Sequence, residues 1–220
     1  MLNSDVFSAV PKFFGRRKGR VVRKAKQFLL ENLLPQMKIS SSADFAKQVG
    51  FAKGGECCLE IGFGDGQHLF GQAKNHPENM YVGVEVFQNG VANLLTLISG
   101  IKEGDKLPET VCLTDYNVQN IRVFDDDVRL LFQNIPDGFF DKVFLLFPDP
   151  WPKKKHSNRR FVNPDNLKEV SRVLKKGGLF RVATDHPIYK RHVLRTMHEC
   201  SDFYWTATCG DDWRREPLTG

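Results

Sequence analysis

Five short apolar runs, separated by segments long enough to form helices, set the strongest limit on how this chain can fold. Four of the runs are Cys57-Cys58-Leu59, Tyr81 to Val86, Ile121-Arg122-Val123 and Val143 to Phe147. Stretches such as Gln67 to Lys74 and Val91 to Ser99 lie between them with helix length. Runs buried on both faces and alternating with helices predict a parallel sheet joined by right-handed crossovers. A helix ending in Lys175-Lys176-Gly177-Gly178, with glycine as its C-cap, then leads to the fifth run, Leu179 to Ala183. The expected fold is α/β, a doubly wound, mostly parallel sheet.

Residues 1–20 read as an irregular basic arm, and residues 21–220 as a single domain. At 220 residues the chain can build one core of this kind and not two comfortable ones. From Val21 the spacing Val22, Ala25, Phe28, Leu29 predicts an amphipathic helix stopped near Pro35. A shorter helix is expected from Asp44 to Val49, closed by Gly50. No apolar run reaches the roughly 20 residues that a bilayer requires, so no membrane association is expected. The five cysteines are odd in number and contain no C-x-x-C, which argues against a disulfide framework or a metal site. The expectation is a metal-free cytoplasmic protein, monomeric or homodimeric.

The net charge of +6 is unevenly placed. Lys12, Arg16, Arg17, Lys18, Arg20, Arg23, Lys24 and Lys26 form one window without an acid. Lys153, Lys154, Lys155, Arg159 and Arg160, with His156 among them, form a second. The remaining residues carry nineteen positive charges against 26 negative ones, a net of −7. An acidic body bearing two basic patches is the footprint of a polyanion binder.

Leu59-Glu60-Ile61-Gly62-Phe63-Gly64-Asp65-Gly66 closes the first run and opens the first crossover helix. Dinucleotide folds usually carry G-x-G-x-x-G here, with pyrophosphate resting on the helix N-terminus. This loop is G-x-G-x-G, and Glu60 before it suits a ligand bearing an ammonium or sulfonium rather than a pyrophosphate. Glu85 ends the second run and is placed to accept both hydroxyls of a ribose. Asp127 closes the run Asp125-Asp126-Asp127, where it either accepts from an adenine amino group or belongs to a solvated turn.

Phe147 to His156 follows the fourth run and therefore faces the glycine loop across the carboxyl ends of the strands. An acid (Asp149), an aromatic plane (Trp151) and cations from Lys153 onward, all within seven residues, suit a flipped base still attached to its backbone. Thr184-Asp185 ends the fifth run at the same rim, where Asp185 either holds a base edge or N-caps the next helix.

Glu60-Ile-Gly-Phe-Gly64, Gly83-Val-Glu-Val86 and above all Pro148-Asp-Pro-Trp-Pro-Lys-Lys-Lys-His-x-x-Arg-Arg160 resemble the bacterial tRNA (guanine-N7)-methyltransferase family. The match runs from Phe14-Gly-Arg-Arg-Lys-Gly-Arg20 to Thr184-Asp185. The resemblance implies a Rossmann-like class I methyltransferase sheet, S-adenosylmethionine as methyl donor, and methylation of the variable-loop guanine (position 46) of tRNA. It implies that Glu60, Gly62, Gly64, Glu85 and Asp127 hold the cofactor, and that Asp149 serves both cofactor and catalysis. Lys153 and Asp185 are the implied substrate contacts, with Thr219 standing where a C-terminal motif of the family begins. Lys155, His156, Arg159 and Arg160 are the implied RNA-binding stretch, joined by Arg16, Arg17 and Arg20 of the arm. A non-enzymatic RNA-binding module of the same fold would need only the basic windows. The set Glu60, Gly62, Gly64, Glu85 and Asp149 is superfluous for it. An NAD-dependent oxidoreductase is opposed by Glu60 and by the glycine spacing.

Overall fold

The structure, a computed structural model, describes residues 13–40, 44–50 and 54–207. Its centre is a five-stranded, all-parallel sheet: β1 (Cys57–Ile61), β2 (Met80–Val84), β3 (Ile121–Phe124), β4 (Phe140–Leu146) and β5 (Leu174–Ala183), in the order β3-β2-β1-β4-β5. The helices are α1 (Lys24–Asn32), α2 (Phe45–Val49), α3 (Gln67–Asn75), α4 (Gln88–Ser99), α5 (Val128–Phe132), α6 (Pro164–Val173) and α7 (Pro187–His198). None of the helices among the described residues is long and apolar enough to cross a membrane.

Strand alternation splits the core into two layers. Leu59, Ile61, Val82, Val84, Val143 and Leu145 point to one face and pack with α5, α6 and Tyr189 of α7. Cys58, Tyr81, Ile121, Val123 and Phe144 point to the other and pack with α1, α3 and α4. Each fully buried leucine or valine in these layers contributes about 1.5–3 kcal/mol. Burial explains the thiols too: it pushes Cys57 up to about 12 and Cys58 higher still, so both act as small apolar side chains.

The outer edge of β3 is not open. Ile39 donates to the Val123 carbonyl at 2.7 Å and Val123 donates to that of Met37 at 2.9 Å, so residues 37–39 cover it.

Three local expectations need correction. The first helix begins at Lys24 rather than Val21, because Arg23 is still extended and Val21 stands 92% exposed. The fourth strand starts at Phe140; Asp141 and Lys142 hide it from an apolar pattern because they face partners, the Cys57 amide and Glu56. The helix before the fifth strand ends at Val173, not at Gly178, since Leu174 is already extended and pairs with Phe140. Lys175 to Gly178 is an excursion within β5, the register jumping from Phe140↔Leu174 to Lys142↔Leu179. Gly177 turns it at φ 78°, and a Cβ on Gly178 would meet the Asp141 carbonyl at 3.0 Å.

Candidate active site

The strand order reverses between β1 and β4, and both of these strands end at one rim. Open parallel sheets bind ligands at such a switch point. The chain leaves β1 as the glycine loop and leaves β4 as the loop containing Asp149.

The glycine loop is fixed from three sides. The Gly62 amide donates to the Val84 carbonyl at 2.8 Å, and the Gly64 amide donates to Glu85 Oε2 at 2.8 Å. Gly62, Gly64 and Gly66 all have left-handed φ, at 70°, 57° and 76°, where a side chain would be strained. α4 closes in behind: a Cβ on Gly90 would stand 2.3 Å from the Gly64 carbonyl oxygen. Gly90 escapes sequence reading because a glycine in the first turn of a helix carries no pattern of its own.

Glu60 is 4% exposed and its Oε2 lies 2.7 Å from His68 Nδ1, on the first turn of α3. The His68 ring also packs edge-on against Phe144 of β4. His68 was not expected from sequence; its one signal is its position just after the glycine loop. Glu85 is buried as well, its second oxygen accepting from the Phe87 amide at 2.8 Å. Burial pushes the Glu85 carboxyl above its ordinary value. The main-chain donors of Phe87, Gly64 and Val86 pull it back, and the charge of Asp149 pushes it further up. Asp149 therefore lies near enough to act on Glu85.

Asp127 is buried at the head of α5, where it caps the Arg129 amide at 3.0 Å and receives the Arg129 guanidinium. It is thus neither a solvated turn nor a bare acceptor. Its neighbours also have partners: Asp126 pairs with Arg17 at 2.7 Å and Asp125 with Lys38 at 2.8 Å.

The loop after β4 contains the two non-glycine residues of left-handed φ among those described, Phe147 at 50° and Trp151 at 41°. They bracket Pro148-Asp149-Pro150. Asp149 is exposed and makes no hydrogen bond among the described residues. Asp185 at the end of β5 is likewise exposed; His186, not Asp185, caps α7 by accepting from the Ile188 amide at 3.3 Å. Tyr189 lies wholly in the core, and burial pushes its hydroxyl up to about 12.

The basic residues divide. Lys153, Lys155, Arg16 and Arg20 are exposed. His156 is half-buried with its ring edge-on to Trp151, and its partial burial and the charges of Arg159, Lys155 and Lys153 push its imidazole down. Arg159 is sandwiched between the rings of Phe14 and Trp151, at 4.6 and 4.9 Å from their centroids, so the arm reaches the second basic window. Farther along the arm, the Arg17 carbonyl accepts from the Gln88 amide and Asn89 brackets Gly19 and Arg20.

Arg160 departs from the expected RNA-binding role. It is 8% exposed, with Nε donating to the Pro150 carbonyl at 3.1 Å and Nη2 to that of Trp151 at 3.0 Å. Two of its five N–H donors are committed to carbonyls inside the protein, and burial leaves little of the group for a phosphate. Thr219 lies outside the described residues, as does the beginning of the basic arm. Among the described residues no cluster of three or more potential metal ligands occurs.

Residues 55–219 match a family model described as "Putative methyltransferase". The chain is 40% identical over 203 residues to the tRNA (guanine-N(7)-)-methyltransferase of Azorhizobium caulinodans, covering 92% of this chain and 82% of that protein. It is 41% identical over 214 residues to the enzyme of the same name from Agrobacterium fabrum, covering 94% and 84%. For the one from Paramagnetospirillum magneticum the figures are 40% over 199 residues, with 89% and 78% covered.

Proposed function

This chain belongs to the tRNA (guanine-N7)-methyltransferase family, and from that premise we propose how its cleft serves the reaction. The enzyme transfers a methyl group from S-adenosylmethionine to N7 of a guanine in tRNA. We place that guanine in the variable loop, at position 46, and the reaction in the cytoplasm, where tRNA is modified. The observation that carries this reading is the convergence of the glycine loop and the Asp149 loop on the switch point between β1 and β4.

The residues present fit the cofactor. Apart from the adjoining residues of the chain, nothing lies within 4 Å of the positions that a Cβ on Gly62 or Gly64 would take, so the loop offers an open cradle. The Glu60 carboxylate uses one oxygen on His68 and forms no other hydrogen bond among the described residues, which leaves the second for a cationic ligand. Glu85 accepts from the Gly64 amide on Oε2 and the Phe87 amide on Oε1, and its remaining acceptor capacity is proposed to take a ribose hydroxyl. Asp127 is the proposed adenine-side acid, and the Arg129 amide it caps helps to fix its direction. When bound, S-adenosylmethionine supplies a methyl group carried on positively charged sulfur.

Guanine N7 has an in-plane lone pair and no proton, so the chain need not supply a base to create the nucleophile. Its task is alignment of N7 with the methyl carbon, worth several kcal/mol as proximity. Asp149 accepts from the N1 and N2 edge of the guanine, and that contact strengthens as positive charge reaches the ring. Asp185, at the same rim and without a side-chain partner among the described residues, supports it. Lys153 and Lys155 take phosphates, with Arg16, Arg17 and Arg20 of the arm, while Arg159 and His156 flank Trp151.

Incubation of unmodified tRNA with methyl-labelled S-adenosylmethionine, followed by mapping of 7-methylguanine, tests the reading. A single label at the variable-loop guanine is expected; binding of tRNA without transfer would favour the RNA-binding module instead.

A further inference from the structure

Among the described residues Asp149 has no side-chain partner, so its main chain sets where it points. That main chain is unusual. Phe147 and Trp151 hold left-handed φ at either end of it, a conformation that bulky residues keep only when their surroundings impose it. Pro148 and Pro150 lack an N–H, so the segment has few donors with which to brace itself. The brace comes from outside. At one end the Phe147 amide donates to the Ala183 carbonyl at 2.8 Å. At the other, Arg160 reaches back across nine and ten residues to the carbonyls of Trp151 and Pro150. Arg160 is buried, and it forms no ion pair among the described residues. Its charge is met by these loop carbonyls and not by a carboxylate. Burying a guanidinium without a counter-ion is costly unless its donors are well satisfied.

We infer that Arg160 is a positioning residue: its grip on Pro150 and Trp151 holds the reaction loop in the strained form that aims Asp149 at the guanine. This rests on the role given to Asp149 above. A planar fork can hold two adjacent carbonyls at once, which a lysine ammonium cannot do with the same geometry. The grip also gives a physical reason for two adjacent arginines with different work. Arg159 faces the rings of the RNA side, and Arg160 faces the loop.

The test uses the full chain and the variant Arg160→Lys, which keeps the charge and loses the fork. Single-turnover methylation at saturating unmodified tRNA and S-adenosylmethionine should slow by about 10²-fold, the scale of misplacing a reacting group by an ångström. The salt slope of tRNA binding and the calorimetric affinity for S-adenosylmethionine should not change. Native-state trypsin should cut faster at Lys153 to Lys155. In the double variant with Asp149→Asn the losses should not add, because both act through one carboxylate. A salt slope flattened by about 0.9 with an unchanged saturated rate would make Arg160 a phosphate contact and overturn the inference. Fully additive losses would overturn it as well. Should the lysine variant unfold, the parent chain decides: the Arg160 Nε–H resonance should be exchange-protected without tRNA and unshifted by it, and protection acquired only with tRNA defeats the grip. Absence of methylation by the parent would instead sink the functional reading and leave the trypsin and resonance results interpretable.

Discussion

Two loops leave the sheet at the same rim, and they reach left-handed backbone by opposite means. The loop after β1 does so with Gly62, Gly64 and Gly66, for which the conformation costs almost nothing. The loop after β4 does so with Phe147 and Trp151, at about 1–3 kcal/mol each. Their charges are opposite in placement too. Glu60 and Glu85 are buried and held by His68, Gly64 and Phe87, whereas Asp149 is exposed and, among the described residues, held only by its backbone. The difference teaches that the first loop takes its shape from its own glycines, at little backbone cost. The second is strained and kept in place by contacts made elsewhere.

The sharpest way to break this contrast is Asp149→Asn, which keeps shape and replaces an acceptor-only carboxylate with an amide that also donates. Single-turnover methylation at saturating tRNA should fall by at least about 10²-fold, the scale of deleting one electrostatic stabiliser. Near-normal turnover would reduce Asp149 to a turn residue and bring Asp185 forward.

On the cradle side, Glu85→Ala should weaken S-adenosylmethionine by about 1–3 kcal/mol in calorimetry, since an acceptor of ribose hydroxyls is lost and the Gly64 and Phe87 amides are left unpaired. The raised Glu85 carboxyl adds a signed pH test. A carboxyl raised on folding contributes stability in its neutral form, fully present below its unfolded value and lost as pH rises through the folded one. The ligand-free chain should therefore lose that contribution on going from acid to neutral pH, and Glu85→Gln should not show it. Cofactor binding runs the other way, because hydroxyls donate to the charged form. Affinity should fall as pH drops through the raised value, and a flat profile would move the ribose contact elsewhere.

A smaller effect separates the arginines and lysines of the second window. If about six phosphates are neutralised, log K for tRNA should fall with log salt at a slope between roughly −4 and −5. Lys155→Ala should flatten it by about 0.9 and leave single-turnover methylation at saturation intact. A slope near zero in the parent would sink the polyanion reading.

The contrast also explains what the sequence revealed and what it hid. The parallel sheet was legible because its strands are apolar runs between helix-length segments, and the cradle because glycines and strand-end acids advertise their geometry. Glu60 and Glu85 are buried at adjacent strand ends, as their spacing required. The start of β4 and the end of α6 were hidden because Asp141 and Lys142, and then Lys175 to Gly178, carry polar or glycine signals inside a strand. The burial of Arg160 was hidden because a run of cations looks uniform until the fold turns one of them inward. The strain at Phe147 and Trp151 had no signature at all: aromatic residues do not announce left-handed backbone, and only the packed loop reveals it.

That strain can be measured directly at Phe147, which is 58% exposed and so has little packing to lose. Asparagine tolerates left-handed backbone better than other non-glycine residues and does not enlarge the unfolded ensemble as glycine would. Phe147→Asn should therefore remove most of a penalty of about 1–2 kcal/mol at small expense in burial. The net gain should be about 1 kcal/mol, which for a chain of this size raises the melting temperature by about 2–4 °C. The same substitution at a residue of ordinary φ on this rim, Thr184, carries no such gain and serves as the control. If methylation stays intact while the melting temperature rises, the strain at this end of the loop is incidental and the aim of Asp149 depends on the Arg160 end alone. If methylation falls as stability rises, the strain belongs to the mechanism, a trade-off expected where a site is held in a costly geometry. A melting temperature that drops would mean that the exposed ring contributes more than its backbone costs, and the contrast between the two loops would have to rest on Trp151.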